Sequence, residues 1–425
     1  MNYRITGAKL LIYSEGRFTA EEKDLYIKDN IIVSVGPGNI DPGDEWEEIR
    51  ADNRLVMPGL INMHTHAYMT CLRNYADDVP FGEWLFGRID PAEGRITPEI
   101  AYASNLLAFA EMFRSGTTTY ADMHMFRGMS PKAAKAAGIR AYIGRGLVGG
   151  DLYGDGLSRF EEALSEKEEY ECDTIRFTLA PHAIYTCSPR FYEQVSAEAE
   201  KLGLLKQTHL SESRTELSDC LEKYGKSPVD IMKETGFLEG GAILAHCVQM
   251  QGNDIAIIKE SGSTAVTNPA SNAKLGNGFA PVMDFMKAGV NLCLGTDGTA
   301  SNNTLNMFRE MGLLSLIHKG ITEDPTAMSA QDVLAAVTVN AAKALKMEGK
   351  LGIIKEGALA DLIFIDLLAP SMYPNNNIIS SLCYSASGSE VADVMVNGQF
   401  VMKNRELLTI DLTEVYGRIR LNTEI

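Results

Sequence analysis

The chain has 425 residues, 45% apolar and 22% charged, and its 39 basic against 56 acidic side chains leave a net charge of −17. This is the composition of a globular protein large enough for one big core and a satellite, and so large a negative surplus without a basic stripe excludes a charge-driven grip on nucleic acid. No window reaches the roughly 18 uninterrupted apolar residues of a membrane span. The start, Met1-Asn2-Tyr3-Arg4-Ile5, carries no basic-then-apolar leader, so a cytoplasmic protein is expected. Seven scattered cysteines with no CxxC pair argue against a disulfide framework and against a structural zinc knuckle.

In chain order, the first 55 or so residues read as short β segments, Arg4 to Tyr13 and Asp24 to Val35, broken by the turn signals Pro37-Gly38 and Pro42-Gly43. The middle alternates apolar runs with helical windows. The runs are Leu55 to Met63, Thr117 to Met123, Arg140 to Leu147, Ile175 to Ala180, Leu204 to His209, Ala242 to His246, Thr264 to Asn268 and Val290 to Gly295. The helical windows include Pro98 to Phe113, Ser188 to Leu202, Asn253 to Lys259, Pro281 to Ala288, Thr304 to His318 and Ala330 to Leu345. Eight strands in strict βα alternation predict an α/β fold, a parallel (β/α)8 TIM barrel. An open doubly wound sheet would show a glycine-rich loop after its first strand, and Leu60-Ile61-Asn62-Met63-His64 is no such loop. After residue 350 the β texture returns in Ala360 to Asp366, Val391 to Val396 and Phe400 to Met402, around the turn Asn397-Gly398. The expected organisation is a barrel over 57–349 and a small β-sandwich built from 1–56 and 350–425, the latter including a C-terminal helix.

Six of the seven histidines fall at predicted strand ends: His64 and His66 on strand 1, His124 on strand 2, His182 on strand 4, His209 on strand 5 and His246 on strand 6. Only His318 lies elsewhere, on a helix. The carboxyl ends of parallel barrel strands share one face, where active sites are built, so this distribution signals a metal site. In His64-Thr65-His66, residues i and i+2 of a strand point the same way and can reach one cation. His209 and Asp297, at the ends of strands 5 and 8, complete a set of imidazoles and one carboxylate with room for water, which suits catalytic zinc. Asp297, in Gly295-Thr296-Asp297-Gly298, also fits a plain turn; its place after strand 8 is what favours a ligand. Glu212, three residues past His209, is suited to move a proton between water and substrate, although the same position fits a solvated loop acid. A two-metal barrel of this kind would carry a bridging group, typically a carboxylated lysine, at the end of strand 4. This chain has His182 there, so one metal is expected.

The segments Met57-Pro58-Gly59-Leu60-Ile61-Asn62-Met63-His64-Thr65-His66, Ala180-Pro181-His182, His209-Leu210-Ser211-Glu212, Ala245-His246-Cys247, Asn268-Pro269-Ala270-Ser271-Asn272 and Leu294-Gly295-Thr296-Asp297-Gly298 resemble the amidohydrolase superfamily. More closely, they resemble its S-adenosylhomocysteine/5′-methylthioadenosine deaminase branch, and the likeness extends over essentially the whole chain. It implies that His64, His66, His209 and Asp297 bind one divalent ion per subunit, zinc ahead of iron or manganese. It implies Glu212 as proton shuttle to the purine N1, His246 as the residue that orients water, and Asp297 as the acceptor of the water's proton. Glu83, in Phe81-Gly82-Glu83-Trp84-Leu85, would accept from the ribose diol, His182 would contact the adenine ring, and Arg145 and Arg159 would face an amino-acid tail. His124 is expected to line the pocket or support it, and His318 has no role.

The reaction implied is hydrolytic deamination at C6 of S-adenosylhomocysteine, 5′-methylthioadenosine, 5′-deoxyadenosine or adenosine, with small nucleosides as partners and a homo-oligomer suggested. The alternative is a guanine or 8-oxoguanine deaminase or a triazine hydrolase of the same branch, whose substrates would give Glu83 and Arg145 no partner. A catalytically dead barrel would be expected to lack Glu212, His246 or Asp297, and all three are present.

Overall fold

The computed structural model describes residues 1–37, 45–150 and 154–422. The Pro42-Gly43 turn and the glycine of Pro37-Gly38 lie outside them. Eight parallel strands form the central sheet in chain order: β1 (Leu60–Thr65), β2 (Thr117–His124), β3 (Arg140–Leu147), β4 (Ile175–Pro181), β5 (Leu205–Leu210), β6 (Ile243–His246), β7 (Thr264–Thr267) and β8 (Asn291–Leu294). Every residue of β2 and β3 is buried, as expected of strands covered on both faces. Past β8 the chain returns to β1, where the Asp297 N–H donates to the His64 carbonyl at 2.9 Å. The approach is so close that a Cβ on Gly295 would lie 2.8 Å from the His64 nitrogen, which requires glycine there. The sheet is therefore the expected barrel.

The first apolar run differs from expectation. Leu55 to Met63 is two strands: Arg54–Pro58, antiparallel to Leu362–Asp366 in a separate sheet, and then β1. Both are deeply buried, so composition does not mark the change of sheet; Pro58-Gly59 does. A Cβ on Gly59 would sit 2.1 Å from the Thr118 hydroxyl, so only glycine allows the chain to pass this close to β2. Arg4 to Tyr13 likewise divides into Asn2–Thr6 and Lys9–Ser14, in different sheets, around Gly7 at φ 73°. Asp24 to Val35 is a hairpin of Leu25–Lys28 and Ile31–Val35. The window Ala330 to Leu345 is two helices, Ala330–Ala336 and Val339–Ala344, because the Val337 carbonyl accepts from Ile61 of β1 at 3.0 Å instead of continuing a helix.

Both termini build the satellite. A seven-stranded sheet joins Arg17–Glu22, Lys9–Ser14 and Arg54–Pro58 on one side to Leu362–Asp366, Val391–Val396, Gln399–Lys403 and Glu406–Leu407 on the other, through the pairing of Arg54–Pro58 with Leu362–Asp366. A four-stranded sheet of Asn2–Thr6, Leu25–Lys28, Ile31–Val35 and Glu47–Arg50 packs on it through Ile5, Leu25 and Ile27 against Val56, Phe364 and Met395. A helix, Leu412–Asn422, follows. All seven cysteines are free thiols. Among the described residues no helix is long and apolar enough to cross a membrane.

Candidate active site

The strand ends bring His64, His66, His209, His246 and Asp297 together. His66 Nδ1 lies 2.8 Å from the Met123 carbonyl and His209 Nδ1 lies 2.8 Å from the His182 carbonyl. A carbonyl only accepts, so each Nδ1 carries hydrogen, and each Nε2 of the neutral ring is a lone pair. Those two Nε2 atoms face each other at 3.2 Å. The Nε2 of His64 is buried without a hydrogen-bond partner, and Asp297 Oδ1 lies 3.5 Å from it and 3.4 Å from His66 Nε2. Converging imidazole lone pairs beside a carboxylate oxygen repel one another unless a cation sits among them. The donor atoms of His64, His66 and His209 lie within 4.8 Å of one another, as do those of His64, His246 and Asp297, so the residues fit a divalent metal.

Protonation follows from the surroundings. Burial lowers His64 to about 4, partly offset by Asp297, and drives His209 well below its ordinary value with help from neighbouring imidazoles. Burial alone would raise Asp297, but His64, His246 and His66 around it hold it well below the usual carboxylate range. Its Oδ2 accepts from the Ser271 and Ser301 hydroxyls at 2.7 and 2.6 Å, leaving Oδ1 toward the histidines. Glu212 is the opposite case: burial, then the Asp297 charge, pushes it well above the ordinary range. His246 is the last residue of β6, at φ 72°, its Nδ1 2.9 Å from Asn272 Oδ1 and its Nε2 3.8 Å from Glu212 Oε2.

Two connected cavities open over this cluster. The inner one, about 60 Å³, is lined by His66, His209, Glu212, His246 and Asp297 with Trp84 and Tyr185. The outer vestibule, about 280 Å³, is lined by Phe86, Asp90, Glu93, Arg159 and His182 among others. Leu85, Glu93, Met125 and His182 border both and form the neck. Burial lowers His182 to about 3, so its ring is neutral, and Nδ1 lies 3.0 Å from the Thr186 hydroxyl.

Three of the residues singled out in the sequence are placed elsewhere. Glu83 is half-exposed at the start of a π-helix, Glu83–Ile89, and pairs with Arg88 at 3.0 Å instead of lining either cavity. The carboxylate that reaches the neck is Glu93, ten residues on, which accepts from the Tyr68 hydroxyl. A linear motif does not show which way a π-helix and the α-helical turn Asp90–Glu93 that follows it face, so it does not tell Glu83 from Glu93. Arg145 is also turned away: Nη1 donates to the Met125 carbonyl at 2.7 Å and Nη2 pairs with Glu162. His124, 1% exposed, does not line the cavities; its Nε2 lies 3.2 Å from Glu166 Oε2. Arg159 does line the vestibule. Beyond Glu93, composition had assigned nothing to Asn272, Ser271, Ser301, Asn277 or Glu216. The first two lie in Asn268-Pro269-Ala270-Ser271-Asn272, a segment that carried the resemblance without a role for its side chains.

A parallel barrel with imidazoles and a carboxylate at its strand ends defines a metal-dependent hydrolase. The chain belongs to the amidohydrolase family, whose model matches residues 55–401. It is 40% identical to the 5-methylthioadenosine/S-adenosylhomocysteine deaminase of Caldanaerobacter subterraneus subsp. tengcongensis, over 99% of this chain and 97% of that one. Among solved structures, an adenosine deaminase from Xanthomonas campestris with bound zinc superposes with a TM-score of 0.92 at 31% identity, covering 99% of this chain and 97% of that one. A zinc-complexed atrazine chlorohydrolase from Arthrobacter aurescens TC1, at 23% identity, TM-score 0.91 and 99% coverage of both chains, shares the fold.

Proposed function

We propose that this protein hydrolytically deaminates adenosine derivatives at C6, with S-adenosylhomocysteine and 5′-methylthioadenosine as the leading substrates and the inosine analogue and ammonia as products. The observation that carries the reading is the pair of buried carboxyls at one chamber in different company: Asp297 Oδ1 lies 3.5 Å from His64 Nε2 and 3.4 Å from His66 Nε2, whereas Glu212 Oε2 faces His246 at 3.8 Å with Asn277 Nδ2 on its Oε1. Two carboxyls in such different surroundings divide the roles of acid and base. Glu212 holds the proton that ring N1 needs, and Asp297 stays ionised to accept one from the attacking water. His246, its Nδ1 toward Asn272 Oδ1 and its Nε2 toward Glu212, orients that water. His64, His66, His209 and Asp297 would hold the metal, zinc by the chemistry of the donor set, and it would supply the Lewis acidity that makes water a nucleophile near neutral pH.

The neck and vestibule favour a nucleoside over a bare purine or triazine. Glu93 offers a carboxylate for ribose hydroxyls, taking the place first given to Glu83, and Arg159 offers a guanidinium for a charged tail. The test is ammonia release and loss of adenine absorbance on zinc-loaded protein with S-adenosylhomocysteine, 5′-methylthioadenosine, 5′-deoxyadenosine, adenosine and guanine side by side. Turnover of an adenosine derivative is expected. Activity on guanine alone, or on none of these, would overturn the proposal.

A further inference from the structure

Glu212 is held in place by two side chains that line neither cavity. Glu216, 3% exposed in the first turn of helix Arg214–Tyr224, accepts the Ser211 N–H on Oε1 at 2.9 Å and the Glu212 N–H on Oε2 at 2.7 Å. This grip holds a turn in which Ser211 has φ 49°, a left-handed conformation that a residue with a side chain adopts at a cost. From the other side Asn277, 6% exposed and beyond helix Pro269–Lys274, donates Nδ2 to Glu212 Oε1 at 3.1 Å. Its own carbonyl accepts from Gln249 Nε2 at 2.7 Å, which fixes the loop. An oxygen that accepts an N–H is favoured as the carbonyl oxygen of a neutral carboxyl. Oε2 is then the oxygen that carries hydrogen, and it is the one that faces His246.

We infer that Asn277 and Glu216 are positioning residues that make Glu212 Oε2 the proton-carrying oxygen, aimed at the substrate ring nitrogen. The inference rests on the assignment of Glu212 as proton shuttle. In the step concerned, the proton leaves Oε2 for ring N1, the Oε2–H bond breaking as N1–H forms, and Glu212 becomes the carboxylate whose Oε1 is still bound to Asn277. Removing the Asn277 donor lets either oxygen carry the proton and lets the carboxyl rotate, while every residue lining the cavities stays in place.

Steady-state kinetics on 5′-methylthioadenosine test this with Asn277→Leu, Asn277→Asp and Glu216→Gln in the zinc-loaded full-length chain. Bound metal is measured by elemental analysis, and affinity for 5′-methylthioinosine by calorimetry. A general acid contributes roughly 10²- to 10⁴-fold, and misaiming one without removing it is expected to lower kcat about 10- to 100-fold in both Asn277 variants. Glu216→Gln leaves one of two buried N–H groups without an acceptor and is expected to lower kcat about tenfold. KM, metal content and product affinity should stay within about threefold. If both Asn277 variants keep kcat within threefold of wild type, or lose metal or product affinity in step with kcat, the inference is overturned. Wild-type protein that turns over no adenosine derivative would overturn the functional assignment, and this inference with it.

Discussion

Arg140 grips Asp361 with two parallel hydrogen bonds, Nε to Oδ2 at 2.6 Å and Nη2 to Oδ1 at 3.0 Å, with both side chains 3% exposed or less. The pair ties the first residue of β3 to the C-terminal half of the satellite. Asp361 also accepts the Asn397 N–H at 2.7 Å, and its carbonyl accepts from Gly59, where the chain crosses into the barrel. Breaking a buried ion pair from one side strands a charge and costs about 3–5 kcal/mol, whereas replacing both partners by apolar groups of similar volume is close to neutral. Arg140→Ala is expected to lower the urea midpoint sharply, and Arg140→Met with Asp361→Leu much less. Equal midpoints for all three proteins would show that the contact is incidental.

Two histidines outside the metal cluster should give stability opposite slopes with pH. Burial opposes charge on His124, but the Glu166 carboxylate outweighs it and holds the imidazole above its ordinary value, while Glu166 itself is held below the usual range. The His124 contribution is full below about pH 6.5 and lost as pH rises through the higher folded value. The Glu166 contribution is present above about 4.5 and lost as pH falls below that. His318, 5% exposed, is lowered by burial to about 4, so its contribution is full above about 6.5 and lost as pH falls toward 4. Thermal melts from pH 4.5 to 8.5 should show His318→Leu flattening the acid side and His124→Gln flattening the alkaline side. Any other pairing of variant and limb contradicts these environments.

The barrel was legible because burial on both faces writes near-continuous apolar runs, and β2 through β8 begin and end within two residues of the runs that mark them. The site was legible for a related reason: strand ends are defined positions, so a histidine there carries information about where it points. What the sequence concealed depends on facing across irregular backbone. Glu83 and Glu93 are both acidic and ten residues apart; Glu83 opens the π-helix Glu83–Ile89 and faces outward, whereas Glu93 ends the helical turn Asp90–Glu93 that follows it and reaches the neck. Arg145 lies in β3 and Arg159 in the helix that follows it, Leu157–Tyr170, and the difference between them is Glu162, seventeen residues from Arg145 and reached only through the fold. The division of Leu55 to Met63 between two sheets was hidden because both halves are equally apolar.

That difference between the arginines predicts separable effects. Arg159 faces the vestibule, with Nη1 near the Gly146 carbonyl at 3.3 Å, so Arg159→Met should weaken a substrate with a carboxylate tail selectively. A hydrogen bond to a charged group is worth about 1.5–3 kcal/mol, hence about 10- to 100-fold in kcat/KM for S-adenosylhomocysteine and little change for 5′-methylthioadenosine. Arg145→Met removes the support of the Met125 carbonyl and leaves Glu162 without its partner, so both substrates should lose rate by the same factor. A selective loss in Arg145→Met would mean that the Glu162 pair opens when substrate binds.

Glu83 and Glu93, at the two ends of the helical stretch 83–93, give the sharpest contrast. Glu93 borders both cavities; burial raises its carboxyl, with the Tyr68 hydroxyl opposing, and Tyr68 leaves the second carboxyl oxygen available to a ligand. Glu93→Gln keeps the size and an acceptor for Tyr68 but removes the charge that two ribose hydroxyls would share. It should lower kcat/KM for adenosine derivatives about 10- to 100-fold, at about 1.5–3 kcal/mol for a charged hydrogen bond. With a substrate lacking both ribose hydroxyls, the variant and wild type should differ by less than threefold, because the partner of the charge is gone. Glu83→Gln, which removes only an exposed pair with Arg88, should leave both substrates within twofold, since such pairs are worth at most about 1 kcal/mol. The opposite pattern, loss in Glu83→Gln with Glu93→Gln unaffected, would mean that the segment turns its other face to bound substrate.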